Sequence, residues 1–265
     1  GSMGADFIDY LIADHILIPE ENQQFYSEKI VYMPHCYQVS DNSRISSQID
    51  TPRTALGLPE TGFVFCCFNT NYKITSREFD IWMRLLDKVQ GSVLWLQQSN
   101  NWSSANLKKE AQTRGIDPSR LIFAENCEYP EYLIRMTKAD LFLDTFNFNA
   151  GAIANDALWC GLPILTCQGQ SYVARMGSSL LSAIDLPELI TTNARDYEEL
   201  ALDLATNPKR LETIEAKITI NKENTPVFDT ERFTRNIETA YALIYSRYFA
   251  GEPLENLYIN ESKIH

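Results

Sequence analysis

The sequence predicts an α/β protein built on a doubly wound parallel sheet, and three patterns carry that reading. Six short apolar runs recur at Phe63–Phe68, Ser92–Leu96, Leu121–Ala124, Leu141–Thr145, Pro163–Cys167 and Leu189–Thr191. Their starts lie 20 to 29 residues apart, the length of one strand plus a crossover helix. The runs are continuous rather than alternating, as strands covered on both faces by helices must be.

Taken in order, residues 4–50 stand apart. They hold two apolar runs, Phe7–Ile18 and Ile30–Met33, then an expected solvated segment Ser40–Arg53 and a linker ending at Thr51-Pro52-Arg53. Between the six strands, Ser76–Val89 sets Phe79, Trp82, Leu85, Leu86 and Val89 on one helical face. Ser103 or Ser104 can cap a helix that Gly115 ends, and Gly161 stops a helix running from Asn155. Asp229–Phe249 reads as a long amphipathic helix with Phe233, Ile237, Tyr241, Ile244 and Tyr248 on its apolar stripe, ended by Gly251.

Composition removes several functions. The net charge is −12 and the longest basic cluster is Lys108-Lys109, so a nucleic-acid partner is not expected. No apolar run approaches the ~20 residues of a membrane helix, and no secretory signal heads the chain; Gly1-Ser2-Met3 resembles an expression scar. Six cysteines without a C-x-x-C pair suit free thiols in a reducing cytoplasm.

In open parallel sheets, ligands bind beyond the carboxyl ends of the strands, where strand order reverses. The loops there are Asn69–Ile74, Glu125–Tyr129, Phe146–Asn155 and Gln168–Ser171. Neither G-x-G-x-x-G nor G-x-x-x-x-G-K-[ST] occurs, which disfavours a dinucleotide dehydrogenase or a P-loop ATPase. Lys73 follows a buried strand at a distance that lets it reach a diphosphate. The loop Asn147–Asn155 is rich in small residues and runs into a helix, whose free N–H groups suit an anion. Asp156 reads either as a carboxylate complementing the helix dipole in the first turn or as an acceptor for ribose hydroxyls.

At these residues the chain resembles the O-linked N-acetylglucosamine (O-GlcNAc) transferases, the SPINDLY-like family 41 glycosyltransferases, over the C-terminal half of their catalytic region. The matching motifs are Phe68-Asn69-Thr70-Asn71-Tyr72-Lys73-Ile74, Ser92–Leu96, Ala139–Thr145, Asp156-Ala157-Leu158-Trp159-Cys160-Gly161-Leu162-Pro163 and Ala174-Arg175. Tyr26–Lys29, Tyr32-Met33-Pro34-His35 and Tyr248-Phe249-Ala250-Gly251 fit as well. The resemblance implies a Rossmann-like C-terminal lobe of a two-lobe GT-B enzyme. Residues 4–50 would be the tail of the first lobe and the interlobe crossing, 51–228 the donor-binding lobe, and 229–265 a terminal helix returning toward the first lobe.

The same resemblance implies a nucleotide-sugar donor, UDP-GlcNAc, a protein or peptide acceptor, a first lobe outside this chain with helical repeats ahead of it, and no metal. Lys73 would stabilise the leaving diphosphate. Tyr132 would stack on the base, Arg135 would lie near the nucleotide, Cys127 would contribute its backbone, and Asp156 would hold the ribose. Thr70, Gly151, Ala152 and Ile153 would complete the donor site. Thr70 replaces a family glutamine, and Ala152-Ile153 replace paired threonines. None of His15, His35 and His265 stands at a catalytic position. The expected function is the donor lobe of a metal-independent protein O-glycosyltransferase, inactive without its other lobe. The competing expectation is a non-catalytic nucleotide-binding or interaction module.

Overall fold

The computed structural model describes residues 2–44 and 51–261. All six expected runs form strands of one sheet: β3 (Val64–Cys67), β4 (Val93–Gln97), β5 (Leu121–Ala124), β6 (Leu141–Leu143), β7 (Ile164–Cys167) and β8 (Ile190–Thr191), with β1 (Tyr10–Ala13) and β2 (Lys29–Tyr32) preceding them. Their order is β5-β4-β3-β6-β7-β8 and every pairing is parallel. The chain therefore walks outward from β3 to β5, then returns to β6 on the far side of β3. Strand order reverses between β3 and β6, and the crevice above that point is where the fold leaves room for a ligand.

Helices α1 (Ser76–Lys88), α2 (Asn101–Thr113), α3 (Tyr129–Met136), α4 (Ala152–Trp159), α5 (Met176–Ala183), α6 (Ala194–Thr206) and α7 (Pro208–Asn224) flank this sheet. The first begins with a reciprocal cap: the Thr75 N–H donates to Glu78 Oε1 at 2.9 Å while Thr75 caps the helix in return. Its expected face of Phe79, Trp82, Leu85, Leu86 and Val89 is buried in the main core. The α2 cap is Asn100 rather than a serine, its Oδ1 accepting from the Ser103 N–H at 2.8 Å. Asn reaches the same orphan donors as Ser, so only the position differs. Gly115 and Gly161 lie just past their helices at φ 79° and 82°, a left-handed turn that glycine makes without strain.

A second sheet combines both chain ends. β1, β2 and β9 (Leu257–Tyr258) pair in the order β1-β2-β9, all parallel, and α8 (Thr230–Ala250) packs on them. Phe233, Ile237 and Ile244 meet Val31, Met33, Leu257 and Ile259, as the expected stripe required. Tyr241 and Tyr248 do not: they are 58% and 75% exposed. Three short strands cover only a narrow strip of the helix surface, so Tyr241 and Tyr248, on the lateral edge of the stripe, stay outside.

Of the expected solvated segment 40–53, Asp41, Asn42, Ser43 and Pro52 are exposed as read, whereas Ser40, Arg44 and Arg53 are held by the fold. Ser40 is buried, Arg44 sits against Asn155 and Asp156, and Arg53 Nη2 donates to Asp140 Oδ1 at 2.7 Å. Polar residues there are satisfied by partners far along the chain, which local composition does not reveal. Residues 45–50 and His265 lie outside the described residues. His15 stacks on Tyr32 at 4.4 Å and His35 meets Glu261 at 2.6 Å. All six cysteines are unpaired thiols, and no described helix is long and apolar enough to cross a membrane.

Candidate nucleotide site

The reversal point is built around a buried carboxylate. Asp144 follows β6 and is fully buried. Its Oδ1 accepts from the Ala150 N–H at 2.7 Å, the Thr145 N–H at 2.9 Å and Asn69 Nδ2 at 3.1 Å. Thr166 Oγ1 lies 2.8 Å from Oδ2. Asn149 Nδ2 donates to the Thr145 carbonyl at 2.7 Å, and its Oδ1 accepts from the Gly177 N–H at 3.3 Å. The loop from Thr145 to Gly151 is therefore folded around buried polar groups in a low-dielectric setting, with Asn69 Oδ1 left without a hydrogen-bond partner among the described residues. Burial pushes the Asp144 carboxyl up to about 7.

Lys73 reaches this loop from the other side of the reversal. A single helical turn, Asn71–Lys73, follows β3 and presents the side chain. Nζ donates to the Asn149 carbonyl at 3.3 Å and lies 3.9 Å from the centre of the Phe148 ring. It forms no salt bridge among the described residues. Burial lowers its pKa, with the Asp144 charge acting in the opposite direction. A half-buried cation is thus held by a carbonyl and a ring, with its charge uncompensated by direct pairing.

The loop delivers its chain into α4, whose first turn carries no side-chain cap. Ala152 is exposed and Ile153 half-exposed there. Gly151 is buried; a Cβ at that position would come within 2.4 Å of the Met176 Cε. Because α4 begins at Ala152, Asp156 falls in its second turn. Asp156 is therefore no first-turn partner for the helix dipole, which acts within the terminal turn.

A cavity of about 450 Å³ opens above β3, β4 and β5, within the range of small-molecule sites. Six of the expected site residues line it: Thr70, Cys127, Tyr132, Arg135, Ile153 and Asp156. Lys73, Gly151 and Ala152 do not. Tyr132 is half-buried, stacked at 6.0 Å on Tyr129 and edge-on to Phe68 at 6.4 Å. Tyr129, at 47% exposed, presents the more open ring. Arg135 is tied down by Glu131 Oε1 at 3.0 Å and by the Glu125 carbonyl, which holds the loop after β5 against α3. Burial raises the Cys127 thiol above its ordinary value, so it stays protonated.

Two contributors went unnoticed in the sequence. The Tyr129 hydroxyl donates to Asp156 Oδ1 at 2.8 Å, and Arg44 Nη1 pairs with the same oxygen at 3.1 Å. Tyr129 had a visible signal, standing three residues before Tyr132 at the start of a helix and so on the same face. Arg44 had none, since it lies more than a hundred residues before its partner. Burial raises the Asp156 carboxyl, against the lowering effect of Tyr129 and Arg44.

Comparisons with known proteins show the family and the fold. The model of glycosyl transferase family 41 matches residues 1–51 and 43–237. The whole chain is 31% identical over 270 residues to the probable UDP-N-acetylglucosamine–peptide N-acetylglucosaminyltransferase SEC of Arabidopsis thaliana, spanning 28% of its length. It is 30% identical over 220 residues to the UDP-N-acetylglucosamine–peptide N-acetylglucosaminyltransferase of Caenorhabditis elegans, covering 83% of this chain and 19% of that protein. Among solved structures, an O-GlcNAc transferase mutant from Thermobaculum terrenum superposes with a TM-score of 0.76 at 26% identity, over 88% of this chain and 44% of that one. The lipopolysaccharide glycosyltransferase WaaG, at 15% identity and a TM-score of 0.62 over 89% of this chain and 64% of its own, shares the fold.

Proposed function

This chain belongs to glycosyl transferase family 41, and we propose on that premise that it is the donor-binding part of a protein O-glycosyltransferase using UDP-N-acetylglucosamine. Residues 51–228 form the donor lobe in this reading. Residues 4–50 are the tail of a first lobe with the crossing between lobes, and residues 229–265 return toward that lobe. The acceptor is a Ser or Thr hydroxyl of a protein.

The observation that carries the reading is the meeting of Lys73 with the Asn149 loop across the reversal of the sheet, beside the uncapped start of α4. In transfer, the acceptor oxygen bonds to the anomeric carbon as the bond from that carbon to the diphosphate oxygen breaks. The departing electron pair leaves charge on the diphosphate. A preorganised cation and free N–H groups at a helix start stabilise such charge, and that assignment makes a metal unnecessary. The cavity lined by Tyr132, Arg135, Cys127 and Asp156 then takes the nucleoside. In this reading the diphosphate lies nearest Lys73 and the ribose nearest Asp156, which is supported by the cation at the reversal and by the carboxylate in the cavity wall.

Calorimetry with UDP and with UDP-N-acetylglucosamine, in the presence of EDTA, tests it. Binding without divalent metal is the expected result. Binding that appears only when a divalent ion is restored would overturn the metal-free assignment, and no binding under either condition would overturn the donor site itself.

A further inference from the structure

We infer that Arg44 is a positioning residue of the nucleotide site, holding the Asp156 carboxylate in the orientation that receives ribose hydroxyls. The inference rests on the reading of Asp156 as the ribose acceptor and adds to it a residue from outside the donor sheet.

The Arg44 guanidinium is gripped on several sides. Nη1 lies 3.1 Å from Asp156 Oδ1 and 3.4 Å from the Asn155 carbonyl, and Nη2 donates to Asn155 Oδ1. The rings of Trp159 and Phe228 flank it at 5.6 and 6.0 Å. The segment carrying it is itself fastened. Asn155 Nδ2 donates to Ser40 Oγ, Thr230 Oγ1 donates to the Ser40 carbonyl at 2.6 Å, and the Asn42 N–H donates to Thr230 Oγ1 at 3.3 Å. A rigid planar fork thus engages the successive residues Asn155 and Asp156 of α4 and restrains the Asp156 side chain.

Stability alone does not account for this pair. The Arg44 and Asp156 side chains are only 6% and 12% exposed, and two charges so buried lose much of their mutual attraction to desolvation. Apolar side chains would fill the space between Trp159 and Phe228 at less cost. What the ion pair adds is a carboxyl group held in one orientation at the wall of a cavity. Arg44 and Tyr129 both occupy Oδ1, and none of the hydrogen bonds among the described residues uses Oδ2. The second oxygen is the one left to accept from a ligand.

The test is titration of the chain with UDP and with 2′,3′-dideoxy-UDP, which lacks both ribose hydroxyls. The unsubstituted chain should prefer UDP by about tenfold, the scale of a hydrogen bond to a charged group. Arg44→Met should weaken UDP and leave the dideoxy analogue unchanged, so that the preference falls toward unity. Arg44→Lys, which keeps the charge and loses the fork, should fall between. Equal weakening of both nucleotides in Arg44→Met, or an unchanged preference, would overturn the positioning role. Asp156→Asn separates the two layers: a preference that survives there removes the ribose reading itself. Should Arg44→Met fail to fold by circular dichroism, Arg44→Gln is read in its place with the same outcomes.

Discussion

The two sides of the cleft are built by different means. On the side proposed for the diphosphate, Asp144, Thr145 and Asn149, joined by Asn69 from beyond β3 and Thr166 from β7, close a buried network that shapes one loop, and Lys73 meets that loop across the reversal. On the side proposed for the nucleoside, the walls are side chains brought from separate places, Tyr132 and Arg135 from α3 and Asp156 from α4, with Arg44 of the segment before the main sheet paired to Asp156. A site for phosphate needs N–H groups and a charge, which backbone geometry supplies. A site for a base and a sugar needs flat rings and a directed acceptor, which only side chains supply.

If the phosphate side is a rigid scaffold, its central carboxylate should matter most to stability. Asp144→Ala strands the N–H groups of Ala150 and Thr145 and leaves the Asn69 amide with Thr145 Oγ1 alone. Each buried unpaired donor costs about 1–3 kcal/mol, so a loss of roughly 3 kcal/mol or more is expected in urea denaturation. Asp144→Asn keeps an acceptor on that side and should lose far less. It should also change the pH profile. With its carboxyl pushed up to about 7 by burial, folded Asp144 keeps a proton that the unfolded chain has released from about pH 4 upward. Its contribution to stability therefore falls as pH rises from about 4 to 7, and Asp144→Asn should remove that part of the slope. An identical slope in both proteins would show that the network does not hold a neutral carboxyl.

Next in size is Lys73→Ala. The loss of a charged donor to the diphosphate should weaken UDP by roughly tenfold to a hundredfold, from about 1.5–3 kcal/mol. Since Nζ meets one carbonyl and one ring among the described residues, the melting temperature should barely move. A variant that binds UDP as before would place the diphosphate elsewhere.

The same contrast explains what the sequence made legible. All six strands of the main sheet were readable, because doubly covered strands are unbroken apolar runs and their spacing is set by crossover helices. The meeting of the lysine after β3 with the small-residue loop Asn147–Asn155 was legible too, as two features at the same sheet edge; that this loop holds phosphate is the proposal. The nucleoside side was only partly so. Tyr132, Arg135 and Cys127 came from the resemblance to a family rather than from any local pattern. Arg44 could not be found, since a polar residue in a polar stretch looks solvated until its partner on α4 is known. The extent of the α8 stripe failed for a related reason: Tyr241 is apolar at helical spacing, yet the sheet that would cover it is too narrow.

A smaller effect is expected at Ala152 and Ile153. Both sit in the uncapped first turn of α4, and Ile153 lines the cavity. Replacing both with threonine adds hydroxyls where the resemblance places them, and UDP should bind about tenfold more tightly, near the lower end for a hydrogen bond to a charged oxygen. Ile153 is only half-exposed and threonine keeps its β-branch, so melting should shift little. Weaker or unchanged binding, with a lower melting temperature, would mean that this turn is packing surface and holds no phosphate.

The smallest effect isolates the nucleoside side. Tyr129→Phe removes one hydroxyl and leaves the ring, so it separates stacking from the hold on Asp156. The hydroxyl donates to Oδ1 at 2.8 Å, the oxygen that Arg44 also engages. Arg44 remains in the variant, so the carboxylate keeps its stronger partner and loses only one of two restraints. A single hydrogen bond has a net worth of about 0.5–1.5 kcal/mol, and a shared one lies near the bottom of that range. UDP should therefore weaken by about threefold, the equivalent of roughly 0.6 kcal/mol. Inorganic pyrophosphate, which has no nucleoside, should bind unchanged. Tyr129→Ala, which also removes the more exposed ring, should cost UDP more and still spare pyrophosphate. If Tyr129→Phe weakened both ligands alike, the two sides of the cleft would be coupled through α4 rather than built separately.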